Sequence, residues 1–198
     1  MTLDQYRNQA KVIFDPLVSI AIKCRLNANF FTLAALLASA AAGFFFYLRL
    51  ELWGIVAVFL NAFCDAMDGA VAREMKTQSL RGDFLDHAVD RYADIFIITG
   101  IFAGGLVPWQ IGVFALTGVL MSSYLGTQAQ AVGVGRYYGG ILGRADRLVL
   151  ILVVGIIGLV FPLVFYGLTW FGWLLLLFGV FGHITAFQRF MYVWAKVV

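Results

Sequence analysis

Asp65-Ala66-Met67-Asp68-Gly69-Ala70-Val71-Ala72-Arg73, followed after eight residues by Gly82 and then by Asp86 and Asp90, is the stretch on which the reading of this chain turns. It lies in a sequence made mostly of hydrocarbon side chains. A charged residue at the centre of a membrane helix costs about 2.5–3.5 kcal/mol on insertion scales, so several carboxylates together mark a functional site by default. The four aspartates fall at i, i+3 and i, i+4 spacings, which puts each pair on one helix face.

The surrounding composition fixes the class. Of 198 residues 62% are hydrophobic, 16% aromatic and 13% charged, against about 25% charged in soluble domains. Charge-free runs cover residues 26–48, 95–135 and 148–188. Crossing a bilayer takes about 20 apolar residues, so the first run holds one helix and each longer run holds two. Gly104-Gly105-Leu106-Val107-Pro108 and the surroundings of Pro162 divide the longer runs. A further span begins at Leu52 and contains the first acidic pair. The expected spans are 27–48, 52–75, 82–103, 109–133, 146–166 and 168–192. The expected fold is therefore an all-α integral membrane protein, six transmembrane helices in a bundle over 27–192, forming a single domain over 1–198.

Ahead of the bundle, residues 2–25 set Leu3, Ile13, Phe14, Leu17, Val18 and Ile20 against Asp4, Arg7, Lys11 and Asp15. This pattern predicts an amphipathic interfacial helix, kinked or split at Pro16. Scattered charges and the lack of a small-residue cleavage site exclude a cleavable signal peptide. Cys24 and Cys64 read as isolated packing thiols without a disulfide or metal framework. Arg7, Lys11, Lys23, Arg25, Arg73, Lys76, Arg81, Arg136, Arg144, Arg147, Arg189 and Lys196 all fall on one side of the expected spans, with Arg49 alone on the other. That asymmetry predicts a multi-pass protein of the cytoplasmic membrane with both termini and the acidic stretch in the cytoplasm.

Asp65 lies 13 residues into its span, roughly 20 Å along the axis at 1.5 Å per residue and so about 10 Å below the cytoplasmic edge of a ~30 Å core. Antiparallel helices would bring the two pairs face to face, and four carboxylates need positive charge to share such a space. Arg73 and Arg91 do not balance them together with Asp83 and Asp94. A set of hard oxygen ligands calls for Mg²⁺, or Mn²⁺ in its place. Two ions would suit four carboxylates and a displacement at phosphorus. Small residues at Ala66, Gly69, Ala70, Ala72 and Gly82 serve helix packing, or equally the close approach of a phosphate or base.

The spacing Asp-x-x-Asp-Gly-x-x-Ala-Arg-x(8)-Gly-x(3)-Asp-x(3)-Asp, complete here from Asp65 to Asp90, resembles the signature of the CDP-alcohol phosphatidyltransferases. The resemblance implies a homodimer holding two divalent metals, in which CDP-lipid loses CMP to a polar alcohol. It implies metal ligation by Asp65, Asp68, Asp86 and Asp90, with Asp90 also the catalytic base. It places Asp68, Gly69, Ala72, Arg73, Gly82 and Asn29 around the CDP-lipid, Asn29 through a likeness of Asn27-Ala28-Asn29-Phe30-Phe31-Thr32 to the family's Pro-Asn-x-x-Thr entry. Nucleic acid is not an expected partner.

An arginine cluster, Arg136, Arg144 and Arg147 with Arg189 as a further candidate, would suit the phosphate of a phosphorylated alcohol; ordinary positive-inside topology and snorkelling explain the same residues. Arg91 and Asp94 are expected to pair at i, i+3. The run Phe84-Leu85-Asp86 with Asp90-Arg91-Tyr92-Ala93-Asp94 resembles the inositol-phosphate branch, and residues 123–131 with 143–147 resemble its archaeal archaetidylinositol phosphate synthases. That likeness implies CDP-archaeol as donor and myo-inositol 1-phosphate as acceptor. Bacterial members carry basic residues where this chain has Thr127, Gln128 and Gln130, which leaves glycerol phosphate and serine open as acceptors. A cation transporter is the reading of a different class; the clustering of the acids near one face and the lack of a broken-helix repeat speak against it.

Overall fold

The computed structural model describes residues 7–137 and 139–197, with side chains from residue 14 onward. Seven helices follow one another: α1 Arg7–Lys23, α2 Ala28–Tyr47, α3 Glu51–Glu74, α4 Leu80–Ala103, α5 Trp109–Ala131, α6 Arg144–Val160 and α7 Trp170–Trp194. Residues 2–6 of the expected amphipathic segment, Leu3 and Asp4 among them, lie outside the described residues, as do the side chains of Arg7, Lys11 and Ile13. Of the two expectations at Pro16, a kink or a split, the split does not occur: the helix runs through Pro16 as one piece.

Local chemistry sets the boundaries. The side chains of Asn27, Ser79 and Thr169 accept from the backbone N–H groups of Phe30, Gly82 and Gly172 at 2.9, 3.1 and 3.2 Å, capping α2, α4 and α7. At the other ends, α1, α2 and α3 close with a residue in the left-handed region: Arg25 (φ 58°), Arg49 (φ 59°) and Lys76 (φ 54°). Each closure carries the paired backbone bonds of a Schellman turn, as in Leu26 N–H to Ala21 C=O at 3.0 Å and Arg25 N–H to Ile22 C=O at 2.9 Å. Glycine is the usual occupant; a cation offsets part of its steric cost by facing the negative end of the helix dipole. The fifth expected span ends at Val160 instead of 166, because Phe161 precedes Pro162 and leaves the helical region (φ −128°, ψ 79°).

Among the described residues four helices, α2, α3, α5 and α7, are long and apolar enough to cross a membrane. Acidic and basic residues interrupt α4, and α6 has 17 residues. Leu33, Leu37, Phe44, Phe59, Ile156 and Phe187 are all exposed, an outward apolar surface that suits lipid.

Helix α2 packs on both α3 and α4, α5 packs on α7, and α6 bridges α3 to α7. Glycines let backbones touch. A Cβ on Gly100 of α4 would land on the backbone of Gly43 of α2, and one on Gly182 of α7 would lie 2.7 Å from the carbonyl carbon of Gly118 on α5. Helix α1 lies along α3, burying Val18 and Ala21 with Met67, Val71 and Phe31. Cys24 and Cys64 are both free thiols. Between α6 and α7, Phe165 and Leu168 exchange backbone bonds of 3.0 and 3.1 Å, while the indoles of Trp170 and Trp173 donate to the carbonyls of Phe161 and Phe165 at 2.8 and 3.0 Å.

Gly100→Val should force α4 away from α2. An overpacking cost of about 1–3 kcal/mol predicts a lower melting midpoint in detergent, followed by size-exclusion fluorescence. Gly158→Ala, whose new methyl would make only ordinary contacts with Trp170 near 3.7 Å, should leave the midpoint in place.

Candidate active site

The wedge between α3 and α4 makes the site. These two helices are joined by a short turn, yet they approach one another far less than each approaches α2. Asn61, fully buried on α3, donates to the carbonyl of Ala35 on α2 at 2.8 Å and fixes the rotation of α3 one turn before Asp65. Asp65, Asp68 and Asp86 then each offer a carboxylate oxygen within 4.8 Å of one another. Asp86, His87 and Asp90 form a second such group. Asp68 is buried and accepts from the Thr32 hydroxyl at 3.1 Å.

Helix α4 presents acids in two directions. Asp86 joins Asp65 and Asp68 of α3. Asp83, Asp90 and Asp94 face arginines that follow α5. Arg136 binds both oxygens of Asp83 at 3.2 and 2.9 Å. Arg144 Nη1 lies 2.6 Å from Asp65 Oδ1 and 2.6 Å from Asp90 Oδ1, with aligned hydrogen-bond geometry only to the former. Arg147 Nη2 meets Asp94 Oδ2 at 2.7 Å, with the two side chains 3% and 6% exposed. The expected Arg91–Asp94 pair is therefore replaced by Arg147–Asp94, the long Arg147 side chain reaching from α6 to Asp94 on α4. Arg189 donates to the carbonyls of Gly139 and Ser122 at 2.8 and 2.5 Å.

Two cavities flank the acids. The larger, about 340 Å³, is lined by Asn29, Asp68, Gly69, Ala72, Arg73 and Gly82, together with Thr32, Asp83 and Asp86. All six residues carried over for the CDP-lipid lie on its wall. The smaller, about 110 Å³, is lined by Asp90, His87, Arg136, Arg144, Arg147 and Arg189, with Arg91, Ser122, Ser123 and Thr127. All four arginines singled out for an acceptor phosphate lie here. Asp86 borders one cavity and Asp90 the other, one turn apart on α4. Of the three positions noted on α5, Thr127 lines the smaller cavity while Gln128 and Gln130 are exposed.

Residues 25–181 match the family model described as CDP-alcohol phosphatidyltransferase. The chain belongs to that family. Over 197 residues it is 33% identical to the archaetidylinositol phosphate synthase of Methanothermobacter thermautotrophicus, covering 98% of this chain and 95% of the relative. Crystal structures of Mycobacterium tuberculosis phosphatidylinositol phosphate synthase (PgsA1) superpose on it at 25% identity. The form with CDP-DAG bound gives a TM-score of 0.77 over 90% of this chain and 92% of that one. The form in complex with manganese and citrate gives 0.78 over 90% and 88%. This family member is thus a transferase of phospholipid synthesis whose carboxylate oxygens can hold Mg²⁺ or Mn²⁺.

Thr32, Asp83 and His87 were not picked out from the sequence as site residues. His87 had a signal: with Asp83, Asp90 and Asp94 it forms a stripe at three- and four-residue spacing along α4. Thr32 had a weaker one, as the last residue of the stretch likened to the family's entry to the first span.

The Arg147–Asp94 pair generates a stability test. Removing one partner of a buried pair costs about 3–5 kcal/mol, whereas replacing both with apolar residues is often near neutral. Arg147→Met should therefore lower the melting midpoint sharply, and Arg147→Met with Asp94→Leu should recover most of it. A double variant no better than the single one would show that neither charge depends on the other.

Proposed function

We propose that this enzyme moves the phosphatidyl-type group of a CDP-lipid, CDP-archaeol, onto myo-inositol 1-phosphate and releases CMP. The observation that carries this reading is the placing of two cavities on either side of the Asp86–Asp90 turn, one lined by the residues that the family resemblance assigns to the CDP-lipid and the other rich in arginine. A dense guanidinium lining favours an acceptor that brings its own phosphate, which ranks inositol phosphate and glycerol phosphate above serine. The 33% identity to an archaetidylinositol phosphate synthase across nearly the whole chain supports the inositol acceptor and the archaeol donor.

In this reading Asn29, Asp68, Gly69, Ala72, Arg73 and Gly82 seat the nucleotide end of the donor. Asp65, Asp68, Asp86 and Asp90 would hold two Mg²⁺ or Mn²⁺ ions, which supply charge neutralisation at the diphosphate when bound. The clustered carboxylate oxygens fit hard divalent cations. Arg136, Arg144, Arg147 and Arg189 orient the acceptor phosphate. The acceptor hydroxyl oxygen forms a bond to the lipid-side phosphorus, the bond from that phosphorus to the CMP oxygen breaks, and the hydroxyl proton passes to a carboxylate oxygen of Asp90. Arg144, 2.6 Å from that carboxylate, holds it in place.

The same proposal takes α2 to α7 as six crossing helices, with the charges of α4 turned inward and α6 completing the set. It takes α1 as the amphipathic helix on the cytoplasmic face, supported by its buried Val18 and Ala21 beside exposed Asp15, Ser19 and Lys23. It takes residues 1–198 as one domain, the active form as a homodimer, and the site as cytoplasmic on the strength of the basic residues around it.

Purified protein in detergent, given CDP-archaeol and Mg²⁺, should release CMP with inositol 1-phosphate and far less with glycerol phosphate or serine. Release without any sealed compartment separates catalysis from cation transport. EDTA should stop it and excess Mn²⁺ or Mg²⁺ should restore it. Asp90→Asn should cut turnover by about 10²–10⁴, the usual contribution of a general base, while the protein stays folded by size exclusion; near-normal turnover would overturn the assignment. Arg144→Gln should raise KM for the acceptor more than KM for CDP-lipid.

A further inference from the structure

The described residues of the loop between α5 and α6, 132–137 and 139–143, line the arginine-rich cavity through Arg136, Tyr137, Leu142 and Gly143. Gly133 and Gly135 hold left-handed backbone (φ 80° and 84°) just before Arg136. Only glycine adopts that conformation freely, so the approach to Arg136 is built to turn. The loop is tied to α5 by the Tyr137 N–H, which donates to the Gly126 carbonyl at 3.2 Å. It is tied to α7 by Arg189, which donates to the Gly139 carbonyl at 2.8 Å. Toward α4 it reaches through Arg136, whose two terminal nitrogens each bind one oxygen of Asp83.

The position of that pair is informative. Asp83 lines the CDP-lipid cavity and Arg136 lines the acceptor cavity, so their contact joins the rims of the two. Asp83 sits one turn before Asp86 and His87, and His87 Nε2 lies 3.3 Å from the same Asp83 carboxylate. The pair is partly exposed, at 45% for Asp83 and 20% for Arg136. Exposed pairs add little to stability, but a two-pronged guanidinium–carboxylate contact fixes orientation.

We propose that Asp83 is a positioning residue for the acceptor: its contact with Arg136 holds the α5–α6 loop closed over the acceptor cavity and aligns that cavity with the acids of α4. Asp83 itself does not touch the reacting atoms. This rests on the phosphotransfer reading above.

The test compares wild type, Asp83→Asn and Asp83→Glu in detergent. Asp83→Asn keeps the shape and removes the charge. It should raise the acceptor KM about tenfold, well beyond any change in the CDP-lipid KM that follows from the place of Asp83 on that cavity's wall, with the melting midpoint unchanged. Asp83→Glu should restore most of the acceptor affinity. Equal changes in both KM values, or a failure of glutamate to rescue, would overturn the proposal. Tryptic cleavage after Arg136, followed by mass spectrometry without any substrate, gives a second readout. Release of the loop in Asp83→Asn should speed cleavage several-fold, and an unchanged rate would equally overturn the proposal. Because this readout needs no alcohol, a wild-type protein that releases no CMP with any acceptor would refute the proposed reaction while cleavage still judges the loop contact.

Discussion

Everything in this bundle answers to one electrostatic demand: carboxylates packed among apolar helices need positive charge beside them. Burying an unpaired charge in low dielectric is prohibitive, and paired burial is tolerated only where geometry and hydrogen bonding are good. Helix α4 meets the demand by splitting its acids between two directions. Asp83, Asp90 and Asp94 turn toward Arg136, Arg144 and Arg147. Asp86 turns toward Asp65 and Asp68, where three carboxylates gather and the Arg144 contact reaches only Asp65. That imbalance leaves three clustered carboxylates on one side of α4 that can hold a divalent cation, while Asp83 and Asp94 are tied to arginine on the other.

The rest of the architecture keeps those two sides apart. Helix α2 stands against both α3 and α4, and its glycine contact with α4 lets that helix lean in while α3 and α4 stay splayed. The gap left between them becomes the larger cavity. The contact of α5 with α7 through Gly118 and Gly182 does the same service on the arginine side, bringing Arg189 beneath the α5–α6 loop. Packing by small residues thus determines where polar groups can meet. A van der Waals device sets an electrostatic outcome.

How much of this was legible in the residues depended on the range of the interaction. The acidic pairs, at three- and four-residue spacing, could be read as single-face clusters because the α-helix translates that spacing directly into geometry. The six residues that the family resemblance assigned to the CDP-lipid all line the larger cavity, but helical spacing alone did not single them out. The expected starts at 27, 82 and 168 fall within two residues of the helix starts at Ala28, Leu80 and Trp170, though the caps at Asn27, Ser79 and Thr169 emerged only in the structure. The expected ends at 48 and 75 fall one residue from Tyr47 and Glu74, although Arg49 and Lys76 close those helices in a conformation usually left to glycine. The pairing of Asp94 failed because a local partner, Arg91, competed with one 53 residues away, and burial against α6 decided for the distant one. Asp83 with Arg136, also 53 residues apart, was invisible for the same reason. Apolar runs were equally silent on where α6 stops, since hydrophobicity continues past Val160 while the backbone does not.

That early stop has a bearing on the opposite end of the molecule. Seventeen residues of α6 reach only about 25 Å, short of a ~30 Å hydrocarbon core. The chain continues through Phe161, Leu163, Val164 and Phe165, all exposed, in a turn whose carbonyls at Phe161 and Phe165 already have indole donors. Irregular backbone is normally barred from oil because its amides go unanswered. Here those two answers come from Trp170 and Trp173. With α6 taken as a crossing helix, as proposed, this corner can sink or rise with the thickness of the surrounding leaflet, and the short helix need not tilt the end that carries Arg144 and Arg147 to follow.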